Sequence, residues 1–168
     1  MPREDEPMNR WELSETEARR LREFVSAMML NGHVTAEIAG LRPIDLYVLN
    51  LLDLDGRATP SELARRTSLT TGAITKLIDR LARIGLVERT PDEEDRRRVW
   101  LTVSDQASSH VGKKADLFAP TAKRMDGLIS GYPEDQRAVL LDFLCRATTE
   151  LRKATEELQQ ARPRGARQ

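Results

Sequence analysis

The sequence predicts a mainly α-helical chain with one small β-hairpin, in which a helix-turn-helix and the hairpin are flanked by long helices. Three observations carry this prediction. Thr59-Pro60-Ser61-Glu62 combines an N-cap, a proline at the first helical position and an acid three residues past the cap, and an amphipathic helix follows closely. Two β-prone segments separated by a charged tip come next. Long stretches with apolar residues three and four apart lie on both sides of this unit.

Taken in order, Ser14 and Glu17 have capping-box spacing and open a helix of about residues 15 to 38, with Leu21, Phe24, Val25, Met28 and Met29 at helical intervals. Pro43 starts a second helix whose stripe is Ile44, Tyr47, Val48, Leu51 and Leu52, and Asp55-Gly56 ends it. The third helix is short, because Leu63 and Ala64 are soon followed by Thr67-Ser68. The fourth begins near Thr71 with Ile74, Leu77, Ile78 and Leu81 on one face. Lys76, Asp79 and Arg83 lie opposite, Thr75 and Arg80 fall on the flanks, and Gly85 stops the helix. Leu86 to Thr90 and Val99 to Val103 form the hairpin, with Pro91 to Arg97 as its tip. Ser104 caps a fifth helix running to about Ser130 with a kink at Pro120, and Pro133-Glu134 starts a sixth that ends near Gln160.

Composition narrows the function. Of 168 residues, 27 are basic and 27 acidic, so the chain has no global pull toward nucleic acid and any such face must be built locally. No apolar run is long enough to span a membrane and the N-terminus lacks a secretory pattern, which predicts a cytoplasmic protein without membrane association. His33, His110 and Cys145 are the only soft ligands, with no close pair, so no metal or other cofactor is expected. Cys145 falls in the apolar stripe of the last helix and reads as inert buried packing. An enzyme is not expected, because no histidine lies near a plausible nucleophile and no phosphate-binding glycine loop occurs.

The segment from Ser61 to Leu81 meets the demands of a reader of double-stranded DNA. Leu69 anchors the turn, while Ser68, Thr70, Thr71, Thr75 and Lys76 supply hydroxyls and a cation for phosphates and major-groove base edges. Gly72 lets a duplex approach the backbone, and the helix N-terminus favours phosphate without net protein charge. Arg80 completes this set from the flank. The acidic residues from Pro91 to Glu94 oppose phosphate at the hairpin tip unless they are directed away.

Ser61 to Ala107 resembles the core of the MarR family of winged helix-turn-helix regulators. The residues that carry the likeness are the helix-turn-helix, Asp79-Arg80-Leu81, Gly85-Leu86-Val87-Glu88-Arg89 and the wing Asp95-Arg96-Arg97. The family's Leu-Thr-x-x-Gly after the wing stands here as Val103-Ser104-Asp105-Gln106-Ala107. The resemblance implies that Arg97 enters the minor groove, Arg96 contacts phosphate and Asp95 fixes the wing turn. It also implies a homodimer platform built from the first, fifth and sixth helices. Leu140, Leu141, Leu144, Cys145 and Thr148 agree, forming a stripe with no evident cover in one chain. The organisation expected is a disordered tail (1–13), helical dimerisation segments (14–42 and 104–160), a winged helix-turn-helix domain (43–103) and a disordered basic tail (161–168). The expected function is sequence-specific DNA binding at a pseudo-palindromic operator, as a repressor released by a small aromatic or phenolic effector. Phe24, Met28, His33, Arg42 and Tyr47 are the candidate effector residues. The alternative is a winged-helix protein-docking module that does not bind DNA.

Overall fold

The structure, a computed structural model, describes residues 13–95, 98–104 and 119–161. These contain helices α1 (Glu15–Ile38), α2 (Pro43–Asp55), α3 (Pro60–Thr67), α4 (Thr71–Arg83), α5 (Ala119–Ser130) and α6 (Glu134–Gln160), with strands β1 (Val87–Pro91) and β2 (Val99–Val103). The described elements include a helix-turn-helix followed by a two-stranded wing, with further helices before and after. The chain divides into two compact units, residues 1–47 and 48–168. Both expected tails, apart from Leu13 and Ala161, lie outside the described residues, as does the helix start expected after Ser104.

In the first unit, the Ser14 backbone N–H donates to Glu17 Oε2 at 3.0 Å and the Glu17 N–H donates back to Ser14 Oγ at 3.4 Å, so the capping box at the start of α1 is complete. The Ser14 hydroxyl, which also donates to Glu17 Oε2, and then the Ser14 N–H hold the Glu17 carboxyl below its ordinary pKa. Ala18, Thr35 and Ala36 are buried, whereas Phe24, Val25, Met28, Met29 and Leu30 are exposed. Gly40, at φ 67°, turns the chain out of α1 in a conformation that side chains disfavour. At the start of α2, the buried Asp45 carboxylate accepts from the Arg42 N–H at 3.0 Å.

The second unit holds the core. Val48, Leu51 and Leu52 of α2, Ala58, Leu63 of α3, Ile74, Leu77, Ile78 and Leu81 of α4, Leu86, Val87 and Leu101 are all buried. Helix α3 packs on α4 and β2, and α4 packs on β1. The strands are antiparallel, pairing Val87 with Val103 and Pro91 with Val99. β1 therefore starts one residue later than expected and takes in Pro91, which an edge strand tolerates. A single antiparallel bridge adds Ala58 to the other side of β2: its N–H donates to the Leu101 carbonyl at 3.1 Å and its carbonyl accepts from Leu101 N–H at 2.9 Å. In α5, Pro120 adjoins residues outside the described ones, so the kink expected there lies outside what the structure describes. α6 has 27 residues and buries none of them.

Local chemistry explains the tight joint between α3 and α4. Thr59 caps α3, its N–H and hydroxyl donating to Glu62 Oε2 at 2.7 and 2.9 Å. Thr67 donates its hydroxyl to the Leu63 carbonyl at 2.7 Å. Ser68 then reverses the chain at φ 59°, the one left-handed non-glycine among the described residues.

Truncating Leu63, which is fully buried, should cost about 2–5 kcal/mol in urea unfolding. Thr59→Ala should cost about 1 kcal/mol. The bonds from Thr59 depress the Glu62 pKa, so their contribution is present above the unfolded carboxylate value and lost as pH falls through the folded one. The Thr59→Ala penalty should therefore shrink below about pH 4, and a penalty that grows in acid would contradict this assignment.

Candidate nucleic-acid interface

Helix α4 is divided sharply between two environments. Ile74, Leu77, Ile78 and Leu81, at helical spacing, are at most 2% exposed. Their burial fixes the rotation of the helix about its axis and turns Thr71, Gly72, Thr75 and Lys76 to the surface, with Ser68 and Thr70 exposed just before them. Thr70 is the N-cap, its hydroxyl accepting from the Ala73 N–H at 3.2 Å. Thr75 donates its hydroxyl to the Thr71 carbonyl at 2.9 Å, which leaves the oxygen available as an acceptor. A Cβ placed on Gly72 would meet nothing within 4 Å, so the backbone there is open to a close approach. Arg80 is half-buried, at the margin of this face rather than on it.

Asp79 forms an ion pair with Arg89 of β1, tying the recognition-type helix to the hairpin and neutralising one acid beside the exposed face. This pair was not foreseen, since the helical wheel placed Asp79 simply opposite the core.

The hairpin tip is organised by Asp92. Its Oδ1 accepts from the Glu94 and Asp95 N–H groups at 2.9 and 3.0 Å, an Asx turn, and its Oδ2 accepts from the Trp100 indole N–H at 2.5 Å. The two backbone bonds, and then the indole, hold the Asp92 carboxyl below its ordinary value. The backbone closes the same turn, Asp92 N–H donating to the Arg98 carbonyl at 3.0 Å and Arg98 N–H to the Asp95 carbonyl at 2.8 Å. A turn-fixing carboxylate is thus found at Asp92, three residues before Asp95. Asp95 enters this turn through its backbone. One of the tip acids is folded into the hairpin, while Glu93 and Glu94 stay exposed. Arg96 and Arg97 lie outside the described residues.

Trp100 faces two guanidinium groups, Arg57 at 4.1 Å and Arg98 at 5.4 Å from the ring centroid. Sequence reasoning missed this cluster because the Ala58 bridge, which brings Arg57 to β2, is a single residue pair with no strand signature.

The five candidate effector residues, Phe24, Met28, His33, Arg42 and Tyr47, are all exposed. Phe24 and Met28 share one face of α1, and Arg42 pairs with Asp45 at 3.3 Å, so its charge is already partnered. Cys145, expected as buried packing, is exposed, on a helix that buries none of its residues.

Comparison with known proteins agrees with this geometry. A sequence model of the MarR family matches residues 39–98. The chain is 32% identical over 152 residues to YcgE, an uncharacterized HTH-type transcriptional regulator of Bacillus subtilis, covering 90% of this chain and 97% of that one. Among solved structures, a mutant of MepR from a multidrug-resistant Staphylococcus aureus clinical isolate has a TM-score of 0.64 at 17% identity, covering 84% of this chain and 99% of that one. NadR in complex with 4-hydroxyphenylacetate has a TM-score of 0.60 at 18% identity, covering 88% and 97%.

The role of Asp92 is open to direct measurement. Asp92→Asn retains one acceptor for the turn but loses the indole acceptor, and should move the Trp100 indole N–H resonance while Glu94 and Asp95 amide protection largely survives. Asp92→Ala should lose both. In the wild type the same resonance should hold at neutral pH and move only as the pH falls below 3.8, the ordinary value of this carboxyl, because the folded pKa is depressed. An indole resonance unchanged in Asp92→Asn would refute the role.

Proposed function

We propose, from the premise that this chain belongs to the MarR family of DNA-binding transcription regulators, that it represses its targets as a cytoplasmic homodimer seated on a pseudo-palindromic operator. The observation that carries this reading is the fully partitioned helix α4, which buries its apolar face and presents Thr71, Thr75 and Lys76 outward at the end of a short, capped turn. Such a helix enters the major groove with its N-terminal residues toward the bases, while amide groups at its start meet phosphate. Ser68, Thr70, Gly72 and Arg80 line the approach. The hairpin, stiffened by Asp92 and Trp100, carries Arg96 to phosphate and Arg97 to the minor groove. Nothing in this role requires catalysis or a cofactor.

The dimer is supported by α6 and α1. Val139, Leu141, Phe143, Leu144, Leu151 and Leu158 are all exposed along α6, and Phe24, Met28, Met29 and Ile38 along α1. Exposed apolar stripes of this length are stable in water only when covered, and a second copy supplies the same stripe in return. Dimerisation sets two α4 helices one duplex turn apart, which makes the site two-fold symmetric. Among the described residues, no helix is long and apolar enough to cross a membrane.

Release by a small aromatic or phenolic effector fits Phe24, Met28, His33, Arg42 and Tyr47, and the likeness to NadR solved with 4-hydroxyphenylacetate supports that chemical class. Such a ligand works by favouring a spacing of the two α4 helices that no longer fits successive major grooves.

Duplex binding by fluorescence anisotropy tests the reading. Lys76→Ala should weaken binding and lower the log-log salt slope by about 0.9, and Arg97→Ala should weaken it with little change in stability. Phe143→Asp should leave a folded monomer by analytical ultracentrifugation that has lost most of its operator affinity. A wild-type chain that binds no duplex at low salt would favour the docking-module alternative, and a Phe143→Asp chain that stays dimeric would remove α6 from the interface.

A further inference from the structure

Beside the hairpin, on the far side of β2 from β1, α3 and the end of α2 enclose a recess of about 380 Å³ with Arg57, Arg65, Arg66, Asp55, Glu62 and Trp100 on its walls. Its two carboxylates are already committed. Asp55 is paired with Arg66, and Glu62 accepts both donors of the Thr59 cap, at 2.7 and 2.9 Å. Arg57 and Arg65 form no ion pair among the described residues. They are two guanidinium groups on one concave surface, Arg65 also near enough to the Glu62 carboxylate to favour its charged form, with Arg98 close to the same indole.

Arg57 is also held in place. The Ala58–Leu101 bridge fixes its backbone beside β2, and its guanidinium lies 4.1 Å from the centre of the Trp100 ring. Stacking on an aromatic face occupies the flat surface of the guanidinium and leaves its in-plane N–H fork free, the geometry that meets a phosphate with two parallel hydrogen bonds. The indole N–H is itself fixed on Asp92, so the stacking platform does not have to be ordered when a ligand arrives.

We propose that this recess binds a phosphate group, with Arg57 as the stacked fork and Arg65 as its second cation. Where the phosphate belongs to the duplex backbone, the site extends the DNA contact of α4 and the wing toward α3 and rests on that reading. A free phosphorylated molecule would use the same chemistry independently of DNA.

Two measurements separate these sources. The first is duplex affinity across a salt series for the wild type, Arg57→Ala, Arg57→Lys and the Arg57→Ala/Arg65→Ala double variant. The second is titration of inorganic phosphate and pyrophosphate against the emission of Trp100 in a Trp11→Phe chain, with and without Arg57→Ala. For a backbone phosphate, the double variant should lower the log-log slope by about 1–2 and weaken specific and non-specific duplexes alike. For a free phosphorylated ligand, emission should titrate with saturation in the Trp11→Phe chain and fail to do so once Arg57 is removed. Arg57→Lys, which keeps the charge without the fork, should recover only part of either response. A slope change alone assigns the site to the backbone, a saturable emission change alone assigns it to a free ligand, and both together support shared use. A chain that binds no duplex yet titrates with pyrophosphate would end the DNA reading and leave this site standing. Unchanged slope together with unchanged emission, or full recovery by Arg57→Lys, would overturn it.

Discussion

Everything that α4 offers to its surroundings depends on the burial of its other face. Ile74, Leu77, Ile78 and Leu81 are each worth about 1.5–3 kcal/mol when removed from water, and no other rotation of the helix buries all four. That constraint turns Thr71, Thr75 and Lys76 outward. Leu63 and Leu101, both fully buried, attach α3 and β2 to the same core, so the turn before α4 and the hairpin after it are positioned by one set of apolar contacts. The polar side chains on the surface hold their places because of what lies beneath them.

A chain with equal numbers of acids and bases has to make its electrostatic contrast locally. It does so by pairing or burying acids close to the cationic surface. Asp79 is tied to Arg89, Asp55 to Arg66, and Asp92 is turned into its own hairpin by three donors. The two ion pairs leave nearby phosphate facing less negative charge than the sequence suggests, while the bonds to Asp92 orient its charge without cancelling it. The positive end of the α4 dipole adds to this without any side-chain charge. The acidic tip keeps its charge, with Asp92 turned into the hairpin and Glu93 and Glu94 at the surface.

The elements were legible wherever the governing interactions are local. The caps at Ser14 and Thr59, the period of the α4 stripe and the stop at Gly85 involve residues within four positions of each other, and a pattern along the chain records them. The wing anchor was not legible in the same way. Asp92 and Trp100 meet only because the strands pair in the register that sets Pro91 opposite Val99, and one residue of slip would separate them. The Asx turn of Asp92 onto Glu94 and Asp95 is the local signal available there. Arg57 reaches Trp100 through a bridge between residues far apart in sequence, which no local pattern encodes. Cys145 illustrates the opposite case: its apolar stripe is legible along the chain, but burial of that stripe depends on a covering surface that the stripe itself does not specify.

The most direct measurement of the central claim, a dimer that reads DNA through paired α4 helices, is selection of bound duplexes from a random pool followed by sequencing. Enrichment of a two-fold symmetric site with half-sites about 10 base pairs apart is the expected result. Enrichment of a single unpaired half-site would contradict the dimeric arrangement, and no enrichment at low salt would contradict DNA reading itself.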